Sequence, residues 1–436
     1  MKENGKTVVV IGGGGREAAL VHKYSQSPNV SRIIAIPGND LMQINSKVLV
    51  KIFKNIQTTD TAQIIKICKE EKADLIDVTQ DNAIEAGLVD ALSKMGFNVV
   101  GPSKTAGQIE WDKSWARDFM KKNKLPIPSY KVFKSQEEAT EFINKSKDKK
   151  WFIKAAGLAE GKGVIPAQDK KEALAAISEI KKLGKAGKTF IIEEGIVGEE
   201  FSMFAVTDGK TYQIIGTAQD HKRLYDGDLG PNTGGVGSST PALVVDRSVY
   251  KQARQIIEKT INGLASEGRK YKGILYFGGI VAEKKVIIIE FNARWGDPEA
   301  EVLVPGIQND MFELGMHVVK ENLKDIKLMT DSRARVAVTG SIRPGVADKR
   351  RELFGIDKVL KLKDVTLYGT RVSKKNGRYF VSSGRLFHVV GVGKDVLEAR
   401  MRAYGALSLL NIEGDNLYYR TDIGWRDVER LEKNSV

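Results

Sequence analysis

The amino-acid sequence predicts a multidomain protein of mixed α/β and α+β class with a parallel sheet in its N-terminal part. The chain has 436 residues, too many for one hydrophobic core, so roughly two to four domains are expected. Over about the first hundred residues, β-branched apolar runs alternate with amphipathic helical patterns, which is typical of a parallel sheet with helical connections. From about residue 198 onward, strand patterns follow one another through hairpin-type turns, which predicts antiparallel sheets.

In the first unit, helical patterns separate the predicted strands. The strand patterns are VVVIG (8–12), RIIAI (32–36), DLIDVT (74–79) and NVVG (98–101). The helical patterns between them are REAALVHKYSQ, IIKICKEE and EAGLVDALSKMG. Because strands joined by helices pair in parallel, we expect helices on both faces of this sheet. A further helix is predicted from about 104 to 122, with an interruption near Trp111 and Asp112.

After residue 125 the pattern changes, because LPIPSY reads as a linker into a small mixed unit. That unit contains strand patterns YKVF, WFIKAA and TFIIEE and two helical patterns. The strands that follow include a hairpin turning at 283–285, and a final α/β unit begins near residue 331. We therefore expect four domains: 1–111, 112–196, 197–330 and 331–436.

Composition and charge limit the classes of partner. The net charge is +14, which suits either nucleic acid or polyanionic small molecules. The Lys-rich segments contain no aromatic residues, so solvated helix ends and loops are the favoured interpretation, without nucleic acid. No apolar run approaches the roughly 20 residues of a membrane span. The single cysteine, Cys68, and an N-terminus without signal-peptide features predict a cytoplasmic protein.

The stretch VIIIEFNARWGDPE at 286–299 joins a strand pattern to three polar side chains. Four β-branched residues predict an extended strand, on which Glu290, Asn292 and Arg294 should point the same way. A carboxylate and an amide oxygen two residues apart suit a hard cation such as Mg²⁺ or Mn²⁺. An arginine can hold a carboxylate or a phosphate with two parallel hydrogen bonds. The alternative is a surface strand with an ordinary ion pair.

Two glycine-rich segments are candidates for binding phosphate. GGGGREA at 12–18 joins the first strand to the first helix, where backbone N–H groups can bind an anion. It fits G-x-G-x-x-A, but the acidic residue expected after the second strand of a dinucleotide fold is missing, so a phosphorylated sugar or a purely structural turn remains. KAAGLAEGKG at 154–163 is not a Walker A loop. It follows a strand-borne Lys154 and can close over a triphosphate.

Two polar segments lie between the glycine-rich loops and the strand at 286. IIEEGIVGEEF (191–201) can offer backbone groups to an adenine edge and a carboxylate to a ribose, or it is a solvated loop. The long segment 220–235 is polar and rich in glycine, and loops of this length are usually functional or disordered. In it, His221 is either a general base or, as the favoured interpretation, a hydrogen-bonded structural histidine.

Taken together, these segments resemble the ATP-grasp superfamily and, within it, the phosphoribosylamine–glycine ligases. The resemblance spans nearly the whole chain. AQDHKR with GPNTGG and EFNAR-x-GDPE are highly specific motifs, whereas the glycine-rich starts are not. The matching segments are GGRE (14–17), GPSK (101–104), AGLAEGKGV (156–164), GTAQDHKR (216–223), GPNTGGVG (230–237), EFNARWGDPE (290–299) and YYRTDIGWR (418–426).

The resemblance implies an ATP-grasp fold with an N-terminal parallel α/β domain and a small C-terminal α/β domain. It also implies an ATP-dependent ligase that joins glycine to 5-phosphoribosylamine through glycyl phosphate in de novo purine biosynthesis, acting as a monomer or homodimer. Two places depart from the family pattern: Ala18 stands where histidine is usual, and 78–82 where a Gly-Pro-Glu-like segment is usual. Both lie in the domain that holds the phosphoribosyl partner. A ligase or carboxylase for another carboxylate or amine is therefore the alternative.

The resemblance also implies a role for each matched residue. The ATP-binding residues would be Lys113, Lys154, Gly157, Gly161, Lys162 and Gly163 at the phosphates, Glu193, Glu194 and Ile196 near adenine, and Glu199 or Glu200 at the ribose. The metal ligands would be Glu290 and Asn292, and the catalytic residues Arg294, Asp220 and Lys154, with Arg294 also holding the glycine carboxylate. The phosphoribosyl and acceptor side would be lined by Gly14, Gly15, Arg16, Glu17, Asn39, Asn232, Thr233, Gly234, Gly235 and Asp297.

Overall fold

The computed structural model describes residues 5–159 and 163–433. The N-terminal part contains strands β1 (Lys6–Gly12), β2 (Val30–Pro37), β3 (Leu49–Ile52), β4 (Leu75–Val78) and β5 (Val99–Val100). Its helices are α1 (Gly15–Tyr24), α2 (Thr61–Glu70), α3 (Asp81–Glu85), α4 (Leu88–Lys94) and α5 (Lys104–Trp111). Strands and helices alternate in the order that the sequence predicts.

Strands β1 to β5 form a parallel sheet in the order β3-β2-β1-β4-β5. The central strand β1 is covered on both faces, because Val8 and Val10 belong to one hydrophobic cluster and Val9 and Ile11 to another. Such a doubly covered strand reads as a continuous apolar run. The predicted parallel sheet is therefore confirmed. Strand order reverses between β1 and β4, and the carboxyl ends of strands at such a point form a crevice where ligands bind.

The next part is a small antiparallel sheet with helices packed against it. It consists of α6 (Lys113–Lys122), β6 (Tyr130–Phe133), α7 (Gln136–Lys145), β7 (Trp151–Ala155), β8 (Val164–Ala167), α8 (Lys170–Lys181) and β9 (Phe190–Glu194). The strand order is β6-β9-β7-β8. Asp112 ends α5 and caps α6 by accepting a hydrogen bond from the backbone N–H of Trp115 at 3.0 Å, so the expected helix interruption is present. The predicted phosphate-covering residues Gly161 and Lys162 lie outside the described residues.

The rest of the chain builds one large sheet, a four-stranded sheet and a two-stranded sheet. The elements up to residue 325 are β10 (Glu199–Thr207), β11 (Tyr212–Asp220), β12 (Arg223–Tyr225), a 3₁₀ turn (Asp226–Asp228), β13 (Leu229–Asn232), β14 (Gly237–Thr240), α9 (Arg247–Ser266), β15 (Gly273–Ala282), β16 (Lys285–Asn292), α10 (Glu299–Leu303), a 3₁₀ turn (Val304–Gly306), α11 (Met311–Val319) and a 3₁₀ turn (Leu323–Asp325). The later elements are β17 (Ala334–Ile342), β18 (Arg351–Phe354), α12 (Ile356–Val359), β19 (Val365–Gly369), β20 (Ser373–Lys375), β21 (Arg378–Val381), β22 (Arg385–Gly393), α13 (Val396–Leu407), β23 (Asn411–Ile412), β24 (Leu417–Tyr418) and α14 (Trp425–Lys433). The four-stranded sheet has the order β20-β21-β18-β23, and the two-stranded sheet consists of β12 and β13.

The large sheet crosses from the central part of the chain into its last hundred residues. Its order is β16-β15-β10-β11-β14-β17-β22-β19, with β24 also paired to β17. Strand β14 pairs antiparallel with β17, in a register that sets Gly237 opposite Val338. The antiparallel strands expected after residue 198 are thus present. Within the described ranges, no helix is both long and apolar enough to cross a membrane.

Candidate active site

A β-bulge sets the direction of the polar side chains on β16. Gly278 pairs with Glu290 and Gly279 with Ile288, so Ile289 is an extra residue between two pairs. Before the bulge Val286 and Ile288 pack in the core, and after it Phe291 and Ala293 pack in the same core cluster. The side chains at 290 and 292 therefore lie on the face opposite that core, because the bulge shifts the alternation by one residue.

Arg294 lies beyond the end of the strand and is held by a residue that the sequence did not point out. Its Nη2 is 2.8 Å from Oε1 of Glu110 on α5, and it also donates to Oδ1 of Asn292 at 3.4 Å. The other oxygen of Glu110 accepts the backbone N–H of Ala293 at 2.7 Å. Glu290, Asn292 and Arg294 are thus close together in space, as predicted. The position of Arg294, however, is set by a bend after the strand and by its ion pair with Glu110, and not by strand alternation.

Glu290 lies on β16 directly after Ile289, which lines a cleft together with residues of β10, β11 and β15. Burial alone would raise the pKa of Glu290, but the cations of Lys222, Lys154 and Lys113 lower it. Among residues 5–159 and 163–433 no side chain donates a hydrogen bond to this carboxylate. The side chains and backbone that line the cleft belong to Glu200, Phe201, Ser202, Asp220, Lys222, Tyr276, Gly278 and Ile289.

Lys154 belongs to a buried network of three charges. Its Nζ lies 2.6 Å from Oε2 of Glu193 on β9, and Arg117 on α6 approaches the same carboxylate with Nε at 2.5 Å and Nη2 at 3.0 Å. Nη2 of Arg117 also donates to the carbonyl of the bulged Ile289 at 2.6 Å. Burial raises the pKa of Glu193, but the two cations outweigh it and lower the pKa to about 2. One ion-pair network therefore supports both the predicted phosphate-binding lysine and the bulge beside Glu290.

Of the predicted nucleotide-binding residues Glu194, Glu199 and Glu200, it is Glu200 that lines this cleft. Both oxygens of Glu199 are in use, one by Nε2 of Gln219 at 2.8 Å and one by Arg430. Glu200 instead faces the cleft, with Oε2 2.9 Å from Nζ of Lys222 and its side chain 46% exposed. Glu194 is half-buried beside Lys149.

Backbone hydrogen bonds connect the glycine-rich segment at 154–163 to its surroundings. The backbone N–H of Lys113 donates to the carbonyl of Ala156 at 2.9 Å, and the carbonyl of Gly163 accepts from Ala155 at 2.7 Å. The backbone N–H of Gly157 donates to Ala186 at 3.2 Å. Ile196 is half-buried in the connection between β9 and β10. These contacts place Lys113 at the base of the loop that begins at 156.

The N-terminal glycine turn lies at the carboxyl end of β1, beside the end of β4. Glu17 is fully buried, and its carboxylate accepts hydrogen bonds from the backbone N–H of Gly14 at 2.7 Å, Oγ1 of Thr79 at 2.6 Å and Nε2 of Gln80 at 2.9 Å. Nη1 of Arg16 donates to the carbonyl of Trp295 at 2.9 Å. Thr79 and Gln80, in the segment that departs from the family pattern, are thus the direct partners of Glu17.

The side chain of Asn39 makes hydrogen bonds to other parts of the protein. Its Nδ2 donates to the carbonyls of Gly13 at 2.9 Å and Gly369 at 2.8 Å, and its Oδ1 accepts from the backbone of Leu41 at 3.0 Å. Asn39 therefore links the N-terminal turn to the last part of the chain. A role in binding substrate stays a prediction, and the structure gives this side chain a bridging one.

Arg385 on β22 joins the polar loop to the GDPE segment. Its Nη1 donates to the carbonyl of Gly234 at 2.8 Å and to that of Asp297 at 2.6 Å, and it lies 2.9 Å from Oδ1 of Asp297. Gly235 has φ +103°, and a Cβ there would lie 2.7 Å from Oδ1 of Asp220. Oγ1 of Thr233 donates to the carbonyl of Lys222 at 2.9 Å, which keeps Asn232 and the rest of the loop close to β11. The predicted acceptor residues are therefore contiguous.

Two polar side chains of the segment 220–235 differ in their hydrogen bonding. His221 accepts a hydrogen bond from the backbone N–H of Gly424 at 3.0 Å, and burial lowers its pKa to about 3, so it is a neutral structural histidine. Asp220 is half-buried, and its buried Oδ1 makes no hydrogen bond with any described residue. Burial and the nearby Glu299 raise the pKa of Asp220 well above its usual range.

Three family models match successive parts of this chain. The N domain of phosphoribosylglycinamide synthetase matches residues 6–110, its ATP-grasp (A) domain residues 111–300 and its C domain residues 336–426. The chain belongs to the phosphoribosylglycinamide synthetase family. This membership confirms the resemblance found in the sequence.

Relatives from the phosphoribosylglycinamide synthetase family match over nearly the whole length of the chain. The phosphoribosylamine--glycine ligase of Caulobacter vibrioides is 36% identical over 430 residues, which are 97% of this chain and 99% of that protein. The trifunctional purine biosynthetic protein adenosine-3 of Gallus gallus is 34% identical over 98% of this chain, which corresponds to 43% of its own length.

Solved structures agree with the ATP-grasp fold of the synthetase family. The crystal structure of phosphoribosylamine--glycine ligase from Thermotoga maritima superimposes with a TM-score of 0.79 at 29% identity and covers 95% of this chain and 99% of that one. The biotin carboxylase domain of a Hydrogenobacter thermophilus 2-oxoglutarate carboxylase, solved with MgADP and bicarbonate, has a TM-score of 0.72 at 14% identity, covering 94% and 91%. The second likeness concerns the fold alone.

Proposed function

We propose that this protein ligates glycine to 5-phosphoribosylamine with ATP, giving glycinamide ribonucleotide, ADP and phosphate. The family membership supports this activity, and relatives that match the whole chain carry the name phosphoribosylamine--glycine ligase. One observation in the structure carries the proposal. The Glu290 carboxylate lies among the cations of Lys113, Lys154 and Lys222, and no side chain in the described ranges donates a hydrogen bond to it.

ATP would bind between the small antiparallel sheet and the large sheet. Lys113 and Lys154 would contact the phosphates, Gly157 and Gly163 belong to the loop that would cover them, and the backbone from Glu193 to Ile196 would hold adenine. Lysine suits this role because its ammonium acts as a compact point charge beside phosphate. Of the two candidates for the ribose, Glu200 faces the cleft, whereas both oxygens of Glu199 are already bonded.

The ribose assignment can be tested by changing the two neighbouring glutamates separately. We expect Glu200→Gln to raise KM for ATP about fivefold to tenfold, because one or two hydrogen bonds to hydroxyl groups are lost. Glu199→Gln is the matched control and should leave KM for ATP unchanged, although it weakens the contact with Arg430. Initial rates at varied ATP would measure both. Equal effects from the two variants would contradict the assignment.

Glu290 and Asn292 fit a hard divalent cation. A carboxylate and an amide oxygen are suitable ligands for Mg²⁺ or Mn²⁺, and the bulge turns both side chains to the same face. The lowered pKa keeps Glu290 ionised. When bound there, the ion would neutralise charge on the ATP phosphates.

The chemistry needs two substitutions without a covalent enzyme intermediate. A carboxylate oxygen of glycine attacks the γ-phosphorus of ATP, the bond to the bridging oxygen breaks, and ADP leaves with that electron pair. The amine of phosphoribosylamine then attacks the carbonyl carbon of glycyl phosphate, and phosphate leaves. Arg294 would hold the glycine carboxylate, and positioning with charge neutralisation supplies most of the catalysis.

Asp220 is the proposed acceptor of the proton that the attacking amine loses. It lies beside the loop residues Asn232 to Gly235, and its buried oxygen has no hydrogen-bond donor within the described part of the chain. A base is most effective when its pKa is close to the working pH, and the raised pKa of Asp220 moves it in that direction.

The acceptor would bind between the N-terminal turn and the GDPE segment. A phosphate is favoured at the start of α1, where Gly15 and Arg16 have backbone N–H groups, whereas that of Gly14 already donates to Glu17 at 2.7 Å. Asp297 faces the same turn, with Oδ2 3.5 Å from the backbone N of Arg16. Because the Glu17 carboxylate already accepts hydrogen bonds from Thr79 and Gln80, the backbone of the turn is the better candidate for direct contact with phosphate.

A phosphate-release assay across amino acids tests the whole assignment. We expect release to require glycine and phosphoribosylamine together, with ADP formed in equal amount. Alanine, serine and bicarbonate should support none above background. ATP turnover that depends on another carboxylate, or on another amine, would instead support the alternative ligase or carboxylase.

Several properties remain predictions of the sequence. They include the domain boundaries at 111, 196 and 330, a monomeric or homodimeric state, and a cytoplasmic setting without nucleic-acid or membrane partners. Mg²⁺ is proposed with Mn²⁺ as a possible replacement, because both are hard cations that accept oxygen ligands.

A further inference from the structure

A buried group of three ionisable side chains lies beneath the N-terminal glycine turn. Nε2 of His388, on β22, is 3.1 Å from Oδ1 of Asp297 and 3.3 Å from Oε1 of Glu301 on α10. His388 and Glu301 are completely buried. The two contacts of Nε2 are within hydrogen-bonding distance but poorly aligned, and neither Nε2 nor the Glu301 oxygens have another partner in the described structure. Nδ1 of His388 is 2.9 Å from Oγ1 of Thr339.

Such a group needs either a metal ion or a shared proton, because buried charges without partners are costly. The donor set of two carboxylates and an imidazole could hold a divalent ion. However, Nη1 of Arg385 is 2.9 Å and Nε of Arg16 is 4.0 Å from the Asp297 carboxylate. A dication would therefore sit beside two guanidinium groups that already neutralise Asp297, and their repulsion favours the proton.

Glu301 is the group that needs that proton. It makes no ion pair with a lysine or arginine among the described residues, and its close charged neighbour is Asp297. Burial and then this neighbour raise the pKa of Glu301 well above its usual range. Burial lowers the pKa of His388. The proton is thus held on the Glu301 side of the pair, and Asp297 stays ionised against Arg385.

We propose that His388 is a positioning residue for the acceptor site, which together with a protonated Glu301 holds Asp297 against the N-terminal turn. This inference rests on the proposed function, because that function assigns the turn to the phosphorylated acceptor. Asp297 is close enough to transmit the effect: a Cβ at Gly14 would lie 3.1 Å from its Oδ2. A change in the orientation of the Asp297 side chain therefore changes the surface that the acceptor would contact.

The turn itself is fitted to this pair. A Cβ at position 15 would lie 2.2 Å from Oε1 of Glu301 and 2.3 Å from Cδ2 of His388. Because no real side chain tolerates such distances, Gly15 is what lets the start of α1 rest on the pair. The side chains of Glu301 and His388 therefore set how closely the start of α1 can pack against α10 and β22.

Binding of ribose 5-phosphate, used as a probe of the acceptor site, tests this inference without requiring turnover. We expect His388→Ala to raise the Kd for ribose 5-phosphate about tenfold in calorimetry, because Asp297 loses the neighbour that holds its carboxylate in place. The Kd for ADP with Mg²⁺ should not change. His388→Gln should recover part of the loss, because its amide N–H can donate to Asp297. Glu301→Gln should stay within about twofold of the unchanged protein, since an amide resembles a protonated carboxyl group.

Several outcomes would overturn the proposal. They are ribose 5-phosphate binding by a folded His388→Ala protein that equals the unchanged one, a large loss in Glu301→Gln, or one equivalent of metal per chain that disappears in His388→Ala. His317→Ala is the matched control, because the side chain of that histidine bonds to Asn322 and is not part of the group at Asp297, so the change should have no effect. If His388→Ala does not fold, His388→Gln and Glu301→Gln decide.

The same experiment separates failure of this inference from failure of the proposed function. An unchanged protein that does not bind ribose 5-phosphate would overturn the positioning role, because no acceptor would rest on the turn. Phosphate release with glycine and phosphoribosylamine would still decide the ligase activity by itself. In that assay, His388→Ala should raise KM for the amine and leave KM for ATP unchanged.

Discussion

Replacing Glu290 by glutamine is expected to lower kcat/KM for the ligation by at least about 100-fold. The bulge at Ile289 turns this carboxylate away from the hydrophobic core, and lysines lower its pKa so that it stays ionised. Glutamine keeps the shape but removes the charge that a divalent ion needs. Substitution of residues that only orient metal ligands already costs about 10-fold to 100-fold in affinity or activity, so loss of a direct ligand should cost more.

Initial rates at varied Mg²⁺ would measure this effect, together with calorimetric binding of Mn²⁺ in the presence of ADP. We expect the Mg²⁺ concentration at half-maximal rate to rise along with the loss in kcat/KM. Glu283→Gln is the control, because Glu283 lies exposed in the turn of the same hairpin. Turnover in Glu290→Gln that matches the unchanged protein would remove the metal assignment from this strand.

Glu193→Gln is expected to reduce the free energy of unfolding by about 3–5 kcal/mol at neutral pH. Removing this charge leaves Lys154 and Arg117 buried beside each other without a counter-ion, and breaking a buried ion pair from one side has about that cost. The guanidinium of Arg117 would also lose the anchor that holds it at the carbonyl of Ile289. Urea unfolding followed by circular dichroism would measure the difference.

The difference between the two proteins should depend on pH. The pKa of Glu193 is about 2 in the folded protein, below its ordinary value of 4.5. Its contribution is therefore complete above about pH 4.5 and is lost as the pH falls from there towards 2. Glu194→Gln is the matched neighbour: its carboxylate is 36% exposed and pairs with Lys149, so we expect less than about 1 kcal/mol. A constant Glu193→Gln difference down to pH 3 would contradict the ion-pair explanation.

Local patterns in the sequence predicted the N-terminal parallel sheet, the helix break and the shared face of Glu290 and Asn292. The apolar run of β1 and the alternation of strands with helices predicted the parallel sheet, and capping at Asp112 explains the helix break. Glu290 and Asn292 were expected on one face of a strand, and they are. Plain alternation, however, would have placed Glu290 on the same side as the core residue Ile288, and the bulge that prevents this has no evident signal in VIIIEFN.

Other parts of the candidate site depend on contacts between distant segments. Glu110, Arg117 and Arg385 reach it from α5, α6 and β22, and each is an ordinary helical or strand residue in its own segment. Periodicity cannot show which distant carboxylate a guanidinium will meet. The same holds for His388, which meets the first turn of α1, the turn that carries Ala18 where the family pattern usually has histidine. A histidine thus reaches this turn from the other end of the chain.

The pairing of β14 with β17 affects how the protein is made. Strand β14 follows directly after the loop that ends at Gly235, and its partner begins about a hundred residues later, at Ala334. Arg385, which holds the same loop, is synthesised later still. During translation, the N-terminal sheet and the small antiparallel sheet can form while the ribosome is still at work, since domains fold in order as they emerge. The proposed acceptor site is complete only after β22 has been synthesised, so we expect a nascent chain to become able to bind nucleotide before it can bind the amine.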